Sequence, residues 1–292
     1  MRPYTLPVPT LHEKARAFAE RHRGPGMIVL PNAWDPGSAI VFADAGFPCM
    51  ATTSSGIAFA QGVPDGEVLS RSRMLELVAQ IAEAVDVPVS ADLEAGYGPR
   101  PEDVAATVEG AFAAGAVGCN IEDATDDRDH PLLELELAVE RIRAGAEAAR
   151  ATGAPFVLNA RADPYLVRMG TPEENLAESI RRANAYRQAG ADCLFVPGVA
   201  DPDAIATLVR EIDGPLNVLG ARGGGAGQLS MADLEALGVR RVSIGGSLAL
   251  AVAALVRRAA TELRDHGTVG YTRDAMSNAE ANALMRAARR EG

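Results

Sequence analysis

The chain has 292 residues, with 28 Lys and Arg against 39 Asp and Glu, a net charge of −11 at pH 7, and 48% hydrophobic and 23% charged residues. That balance excludes extensive disorder and allows a large buried core. A pI near 4.9 excludes nucleic acid as the main partner, because phosphate recognition needs a basic surface.

No run of roughly 18 apolar residues occurs, so no membrane span is expected. The opening MRPYTLPVPT lacks the apolar stretch of a signal peptide. Cys49, Cys119 and Cys193 are too few and too scattered for a disulfide framework or a structural zinc site. The expectation is a reduced, cytoplasmic protein whose three thiols are packed core residues.

In chain order, short β-like segments are predicted at Met27–Pro31, Pro48–Thr53, Val87–Ala91, Val117–Ile121, Pro155–Ala160, Asp192–Val196, Pro215–Leu219 and Arg241–Ile244. Helical patterns lie between them. Several end on a glycine suited to a left-handed cap, as at Gly46, Gly115, Gly190 and Gly238. Thr171-Pro172-Glu173-Glu174 marks a helix start, with an N-cap hydroxyl, Pro at the first helical position and Glu three residues on. Strands alternating with helices mean parallel strands under crossover helices. Eight such units predict an α/β fold of the closed (β/α)8 TIM-barrel type. A Rossmann sheet is disfavoured, since no Gly-x-Gly-x-x-Gly follows the first strand. Leu248–His266 reads as the closing helix, making residues 1–266 the barrel. Residues 267–292 read as a C-terminal helical extension, opening with the capping box Ser277-x-x-Glu280 and running to about Arg290. This tail is expected to pack on a neighbour or on a partner subunit.

Active sites of such barrels lie at the carboxyl ends of the strands. The third predicted strand leads into Asp92 and Glu94, two residues apart, so an extended backbone would aim both at the barrel mouth. The fourth ends on Glu122-Asp123 and the fifth on Arg161-Ala162-Asp163. Carboxylates converging at one mouth repel unless a cation neutralises them. Oxygen ligands without nearby His or Cys point to a hard ion, Mg2+ or Mn2+.

These segments resemble the isocitrate lyase/phosphoenolpyruvate mutase superfamily over nearly the whole chain. The resembling pieces are Pro31-Asn32-Ala33-Trp34-Asp35, Thr52-Thr53-Ser54-Ser55-Gly56, Gly62-Val63-Pro64-Asp65, Asp92-Leu93-Glu94-Ala95-Gly96-Tyr97-Gly98, Ile121-Glu122-Asp123 and Asn159-Ala160-Arg161. The resemblance implies a barrel whose last helix is exchanged between subunits of a homo-oligomer, a dimer or tetramer. It also implies Mg2+-dependent lyase chemistry on a small anionic substrate, breaking or forming the bond next to a 2-oxo or 2-hydroxy acid through a metal-stabilised enolate. By the same match, Asp92 is the principal metal ligand. Glu94 and Glu122 hold the ion directly or through water, and Asp65 joins them through water. Arg161 grips the substrate, and Thr53, Ser54 and Ser55 bind its carboxylate.

The departures from the family narrow the branch. The Cys-containing loop of isocitrate-type lyases is replaced here by Ala124-Thr125-Asp126-Asp127-Arg128-Asp129-His130-Pro131-Leu132-Leu133, and no other cysteine is placed to substitute. The Lys of the phosphonate branch is Ala124, and its sixth-strand His aligns with Val196. The pattern is most similar to the Cys-less, oxaloacetate-decarboxylase-like members. Phosphonate P–C chemistry is the alternative, and a catalytically inactive metabolite-binding or assembly barrel is an alternative of another class. The segment Ala124–Glu136 is expected to act as a lid, with His130 as a candidate proton donor. A glycine-rich loop from Gly220 to Gly227, containing Arg222, occupies the position at which barrels commonly bind phosphate. A flexible loop is the simpler reading of it.

Overall fold

The computed structural model describes residues 8–125, 127–221 and 225–288. Arg222 and the end of the tail at Arg290 therefore lie outside the described residues. Helix α1 (Leu11–Arg23) precedes the barrel. The first strand comes in two pieces, β1 (Ile28–Leu30) and β2 (Asn32–Ala33), followed by α2 (Pro36–Asp44), β3 (Met50–Thr52), α3 (Ser54–Ala60) and α4 (Arg71–Glu83). Next come β4 (Val89–Asp92), α5 (Pro101–Ala113), β5 (Gly118–Glu122), α6 (Leu135–Ala151) and β6 (Val157–Arg161). Helices α7 (Pro164–Val167) and α8 (Pro172–Ala189) lead to β7 (Cys193–Val196), α9 (Pro202–Glu211), β8 (Leu216–Leu219), α10 (Met231–Ala236) and β9 (Arg241–Ser243). The chain closes with α11 (Ser247–His266), one 3-10 turn (Gly270–Thr272) and α12 (Asn278–Ala288).

Every strand pairing is parallel. The sheet runs from β1 through β9 and back down to β3 and β2. β1 and β2 are the halves of one strand interrupted at Pro31, which has no N–H to give to a ladder. Its lower half pairs with β9 and its upper half with β3, which is how the barrel closes.

Alternation along the strands sorts the residues. Ala91, Cys119, Ile121, Leu158, Ala160, Leu194, Val196 and Val218 face the helices in the main core. Their neighbours Ser90, Asp92, Asn120, Glu122, Asn159, Arg161, Asn217, Arg241 and Ser243 fall on the inner face. Helix α1 plugs the base of the barrel. Its Ala15 and Phe18 pack with Leu30, Cys49, Val117, Val157 and Cys193. All three cysteines are buried and free, and burial raises each thiol, Cys49 and Cys193 to about 11. They are packing residues, as their strand positions predicted.

The end of the chain departs from the simplest reading. Helix α11 has no buried residue and leaves Leu250, Leu255, Val256 and Leu263 exposed, so it does not cover this chain's barrel wall as a closing helix would. Helix α12 packs against α2 of the same chain. No helix among the described residues is long and apolar enough to cross a membrane.

Candidate active site

At the upper end of the barrel, Asp92 is fastened on three sides. Its Oδ2 accepts from the Ser54 backbone N–H at 2.9 Å and from the Ser54 hydroxyl at 3.0 Å. Its Oδ1 accepts from Asn120 Nδ2 at 2.7 Å, and its own N–H donates to Thr52 Oγ1 at 2.9 Å. Two elements, α3 and β5, thus hold the carboxylate and β3 holds its backbone, and none of the donors to the carboxylate is charged. Asn32 braces the same rim: its Nδ2 donates to the Thr52 carbonyl, and its Oδ1 accepts from Ile244 and Gly245 N–H.

The loop after β3 supplies the polar wall. Thr53 caps α3 through Gly56 N–H, and its hydroxyl lies 3.0 Å from that of Ser55. An added Cβ on Gly56 would stand 2.6 Å from Thr53 Cγ2 and 2.9 Å from Trp34 Cβ, so the Ser-Ser-Gly turn has no room for another residue type. A cavity of about 140 Å3 opens here, lined by Thr53, Ser54, Ser55, Asp65, Asp92 and Arg161 among others. Asp65 is raised by burial and by the Asp92 charge, with hydrogen bonds from Ser54 and Gly66 pulling the other way.

Arg161, at the end of β6, is clamped. Its Nε donates to Asp163 Oδ1 at 2.7 Å, and its Nη1 pairs with Glu122 Oε2. Its guanidinium carbon lies 5.7 Å from the Phe195 ring centroid. Burial opposes the Arg161 charge, but Asp163 and Glu122 more than offset it, so the group stays protonated. Glu122 is raised by burial and by the carboxylates of Asp163, Asp92 and Glu94, and lowered by Arg161.

Glu94 reaches the mouth by a route the pleat does not provide. Strand β4 stops at Asp92, and Glu94 takes a left-handed φ of 52°. The expectation of one extended strand aiming both carboxylates is corrected by this turn. Glu94 Oε1 accepts from Tyr97 OH at 2.9 Å, and its Oε2 accepts from Glu67 N–H. With Glu122 it lines an adjoining cavity of about 280 Å3. Burial raises Glu94 to about 7, and the Asp92 and Asp65 charges add to that. Gly98, at φ +146°, keeps the loop folded where a Cβ would meet Asp103 Cγ at 2.6 Å.

Three residues that sequence reasoning did not single out hold this arrangement. Arg182 on α8 is buried and donates to Asp123 Oδ2 at 3.2 Å and to the Leu133 carbonyl at 2.9 Å. Tyr186 donates to the same Asp123 oxygen, while Asp123 Oδ1 accepts from Asp163 N–H at 2.9 Å. Arg141 on α6 binds the Gly98 and Ala95 carbonyls. The one signal for Arg182 is its helical face, shared with Ser179, Ala183 and Tyr186, where a lone Arg needs a buried partner.

His130 is not brought to the cavity. Its side chain is 77% exposed, pairs with Asp127 at 3.2 Å within the loop, and lines neither cavity of the mouth. The loop is tied at its base by the Ala124–Leu132 bridge and by Leu133 N–H to the Asp123 carbonyl.

Among the described residues, no three His, Cys, Asp or Glu side chains stand close enough together to ligate one ion directly. The donor chemistry still fits a hard cation. Asp65, Asp92 and Glu94 have no ion-pair partner among the described residues, and each raises a neighbour by its charge. One direct carboxylate with the others reached through water is the coordination Mg2+ favours, since it keeps several waters.

The phosphoenolpyruvate phosphomutase family profile matches residues 18–264. A solved Burkholderia cenocepacia J2315 protein, classed only broadly as a lyase/mutase, is 45% identical, with 94% of this chain and 95% of that one superposing at a TM-score of 0.88. An oxaloacetate decarboxylase of Bradyrhizobium diazoefficiens is 31% identical over 211 residues, 68% of each chain. A phosphonopyruvate hydrolase solved with oxalate and Mg2+ is 28% identical, covers 94% of this chain and 95% of its own, and has a TM-score of 0.81. On its profile match and its fold, the chain belongs to the phosphoenolpyruvate mutase/isocitrate lyase superfamily.

Proposed function

We propose that this protein is a Mg2+- or Mn2+-dependent lyase that cleaves the C–C bond next to the oxo or hydroxy carbon of a small 2-oxo or 2-hydroxy dicarboxylate. The observation that carries the reading is Arg161, locked between Glu122 and Asp163 over the cavity that Asp92 and Asp65 also line. A fixed cation beside a group of uncompensated carboxylates suits an anion that arrives with a divalent ion. A cavity of about 140 Å3 suits a substrate of a few carbons.

Asp92 would hold the ion, with Glu94, Glu122 and Asp65 joined through water. When bound, the ion supplies Lewis acidity toward a keto oxygen. Arg161 is positioned to meet charge developing on that oxygen with a charge-assisted, two-pronged donor, which Lys does not offer. The hydroxyls of Thr53 and Ser55 would orient the substrate carboxylate. Ser54 spends both its N–H and its hydroxyl proton on Asp92, so the loop that meets the carboxylate also positions the metal-ligand candidate. With no cysteine or histidine lining the cavity, loss of CO2 is the cleavage that asks least of the protein, since no base is needed.

Similarity to the phosphonopyruvate hydrolase keeps P–C cleavage as the second reading. A screen of C4–C6 oxo- and hydroxy-acids with Mg2+ or Mn2+, alongside phosphonopyruvate followed by phosphorus NMR, tests both. Turnover of a carboxylic acid that stops on chelation supports the lyase. Release of phosphate alone supports the second reading, and no turnover of any compound supports an inactive barrel.

We also infer that α11 packs against a second copy of the chain, making the protein a homo-oligomer. Its exposed Leu250, Leu255, Val256 and Leu263 on a 20-residue helix have no partner surface in their own barrel.

A further inference from the structure

At the opposite end of the barrel lies a second cavity, of about 390 Å3, between the C-terminal ends of α1, α6 and α8 and the starts of β6, β7 and β8. Three guanidinium-bearing residues line it, Arg23, Arg150 and Arg187, together with a single carboxylate, Asp192. All three arginines exert their charge on Asp192, but none is ion-paired to it. Asp192 Oδ2 is already occupied by Leu158 N–H at 2.9 Å.

Basic residues in the last turn of a helix ordinarily serve the helix dipole. Here backbone N–H groups already take up at least one carbonyl at each of those ends. Gly24 N–H caps Glu20 of α1, and Gly153 N–H caps Arg150 of α6. Gly190 and Ala191 N–H cap Arg187 and Tyr186 of α8. Arg187 spends one Nη1 bond on the Ala191 carbonyl at 2.8 Å. The side chains of Arg23 and Arg150 are exposed to solvent and make no hydrogen bond or ion pair among the described residues. Gly190 leaves the space that Arg150 uses: a Cβ there would come within 3.1 Å of Arg150 Nη1. Three like charges at one cavity repel one another, and guanidinium forks match phosphate oxygens two at a time. Apart from His22, the remaining wall is apolar, with Ala146, Ala149, Pro155 and Phe156 among its residues. The volume falls in the range of small-molecule sites, about 300–1,000 Å3.

From this geometry we infer that the base of the barrel binds a phosphorylated small molecule, its phosphates on Arg23, Arg150 and Arg187 and its organic part on the alanine and Phe156 wall. The site lies at the strand N-termini and is therefore separate from the catalytic mouth. It does not depend on the proposed lyase activity.

The test is calorimetric titration of the metal-free protein, in chelator, with inorganic phosphate, pyrophosphate and AMP. Chelation leaves the upper site without its cation, so a signal there is not expected. The expected result is one site for pyrophosphate or AMP, weakened at least about tenfold in Arg23→Gln/Arg150→Gln. Neither residue makes a structural hydrogen bond, so the double variant should melt close to the wild type. A double variant of Arg23→Lys and Arg150→Lys, which keeps charge but loses the fork, should bind with intermediate affinity. Absence of binding by all three probes to wild type overturns the inference, and so does equal affinity in wild type and the Gln double variant.

Discussion

Ser54 donates both its backbone N–H and its hydroxyl to one oxygen of Asp92, at 2.9 and 3.0 Å, so a residue of the substrate-facing loop also orients the leading metal-ligand candidate. Replacing Ser54 by Ala keeps the N–H bond and removes the hydroxyl. Loss of one hydrogen bond to a charged group costs about 1.5–3 kcal/mol. Mg2+ affinity, measured by titration calorimetry, should fall about tenfold or more, and Tm should drop by several degrees at most. Asp92→Asn should abolish Mg2+ binding while leaving the fold intact.

Arg161 answers to two carboxylates, and that sets what its substitutions do. Lys lacks the planar fork that spans Asp163 and Glu122 and still faces the cavity, so Arg161→Lys should weaken oxalate binding about 100-fold in the presence of Mg2+. Arg161→Ala leaves two buried carboxylates unpaired and should also lower stability by about 3–5 kcal/mol, read from urea unfolding.

A second buried pair is purely structural in this account. Arg182→Ala strands Asp123 and releases the Leu133 carbonyl at the base of the 124–133 loop. Stability should fall by about 3–5 kcal/mol. Tyr186→Phe removes one hydrogen bond from the same oxygen and should cost about 1–3 kcal/mol. If the two substitutions are combined, their effects should fall short of the sum, because they share Asp123.

His22 gives a pH signature at the base of the barrel. Burial, with the Arg241 charge next, holds it down at about 3, and its Nδ1 faces the Phe18 carbonyl at 2.9 Å. The unfolded chain binds a proton below about 6.5 that the folded chain refuses. Stability from this residue is therefore complete above pH 6.5 and lost as pH falls toward 3. Between pH 7 and pH 5 the loss should be about 2 kcal/mol. Urea unfolding at the two pH values should show that difference shrink in His22→Gln, against a carboxylate background common to both proteins.

Helix α11 makes an assembly prediction. Leu255→Asp with Val256→Asp places charge on an exposed apolar stripe. Light scattering should give the wild type a multiple of its 30.4 kDa chain mass and the variant a smaller one. Equal masses would mean that α11 is not the contact.

The barrel was readable because parallel strands buried on both faces show as short apolar runs, and because helical patterns with glycine stops separated them. Predicted Val117–Ile121 became Gly118–Glu122, and Arg241–Ile244 became Arg241–Ser243. The split of the first strand was visible only as Pro31, whose missing N–H sets the break. Glu94 shows the limit of pleat arithmetic. Its place at the mouth depends on a left-handed turn that Gly96 and Gly98 make possible, and no extended strand supplies it. Arg182 and Arg141 escaped notice because a single Arg on a helix looks like solvated surface until the fold supplies its buried acceptors. Helix α11 looked like a barrel helix because apolar content does not say which surface, if any, the helix packs on.

The central claim is that a divalent ion joins an acidic mouth to an anionic substrate. Titration of oxalate into the protein with and without Mg2+ tests it most directly. Binding is expected only when Mg2+ is present, and is expected to be lost in Asp92→Asn. Oxalate binding of equal strength without metal, or none with it, would contradict the account.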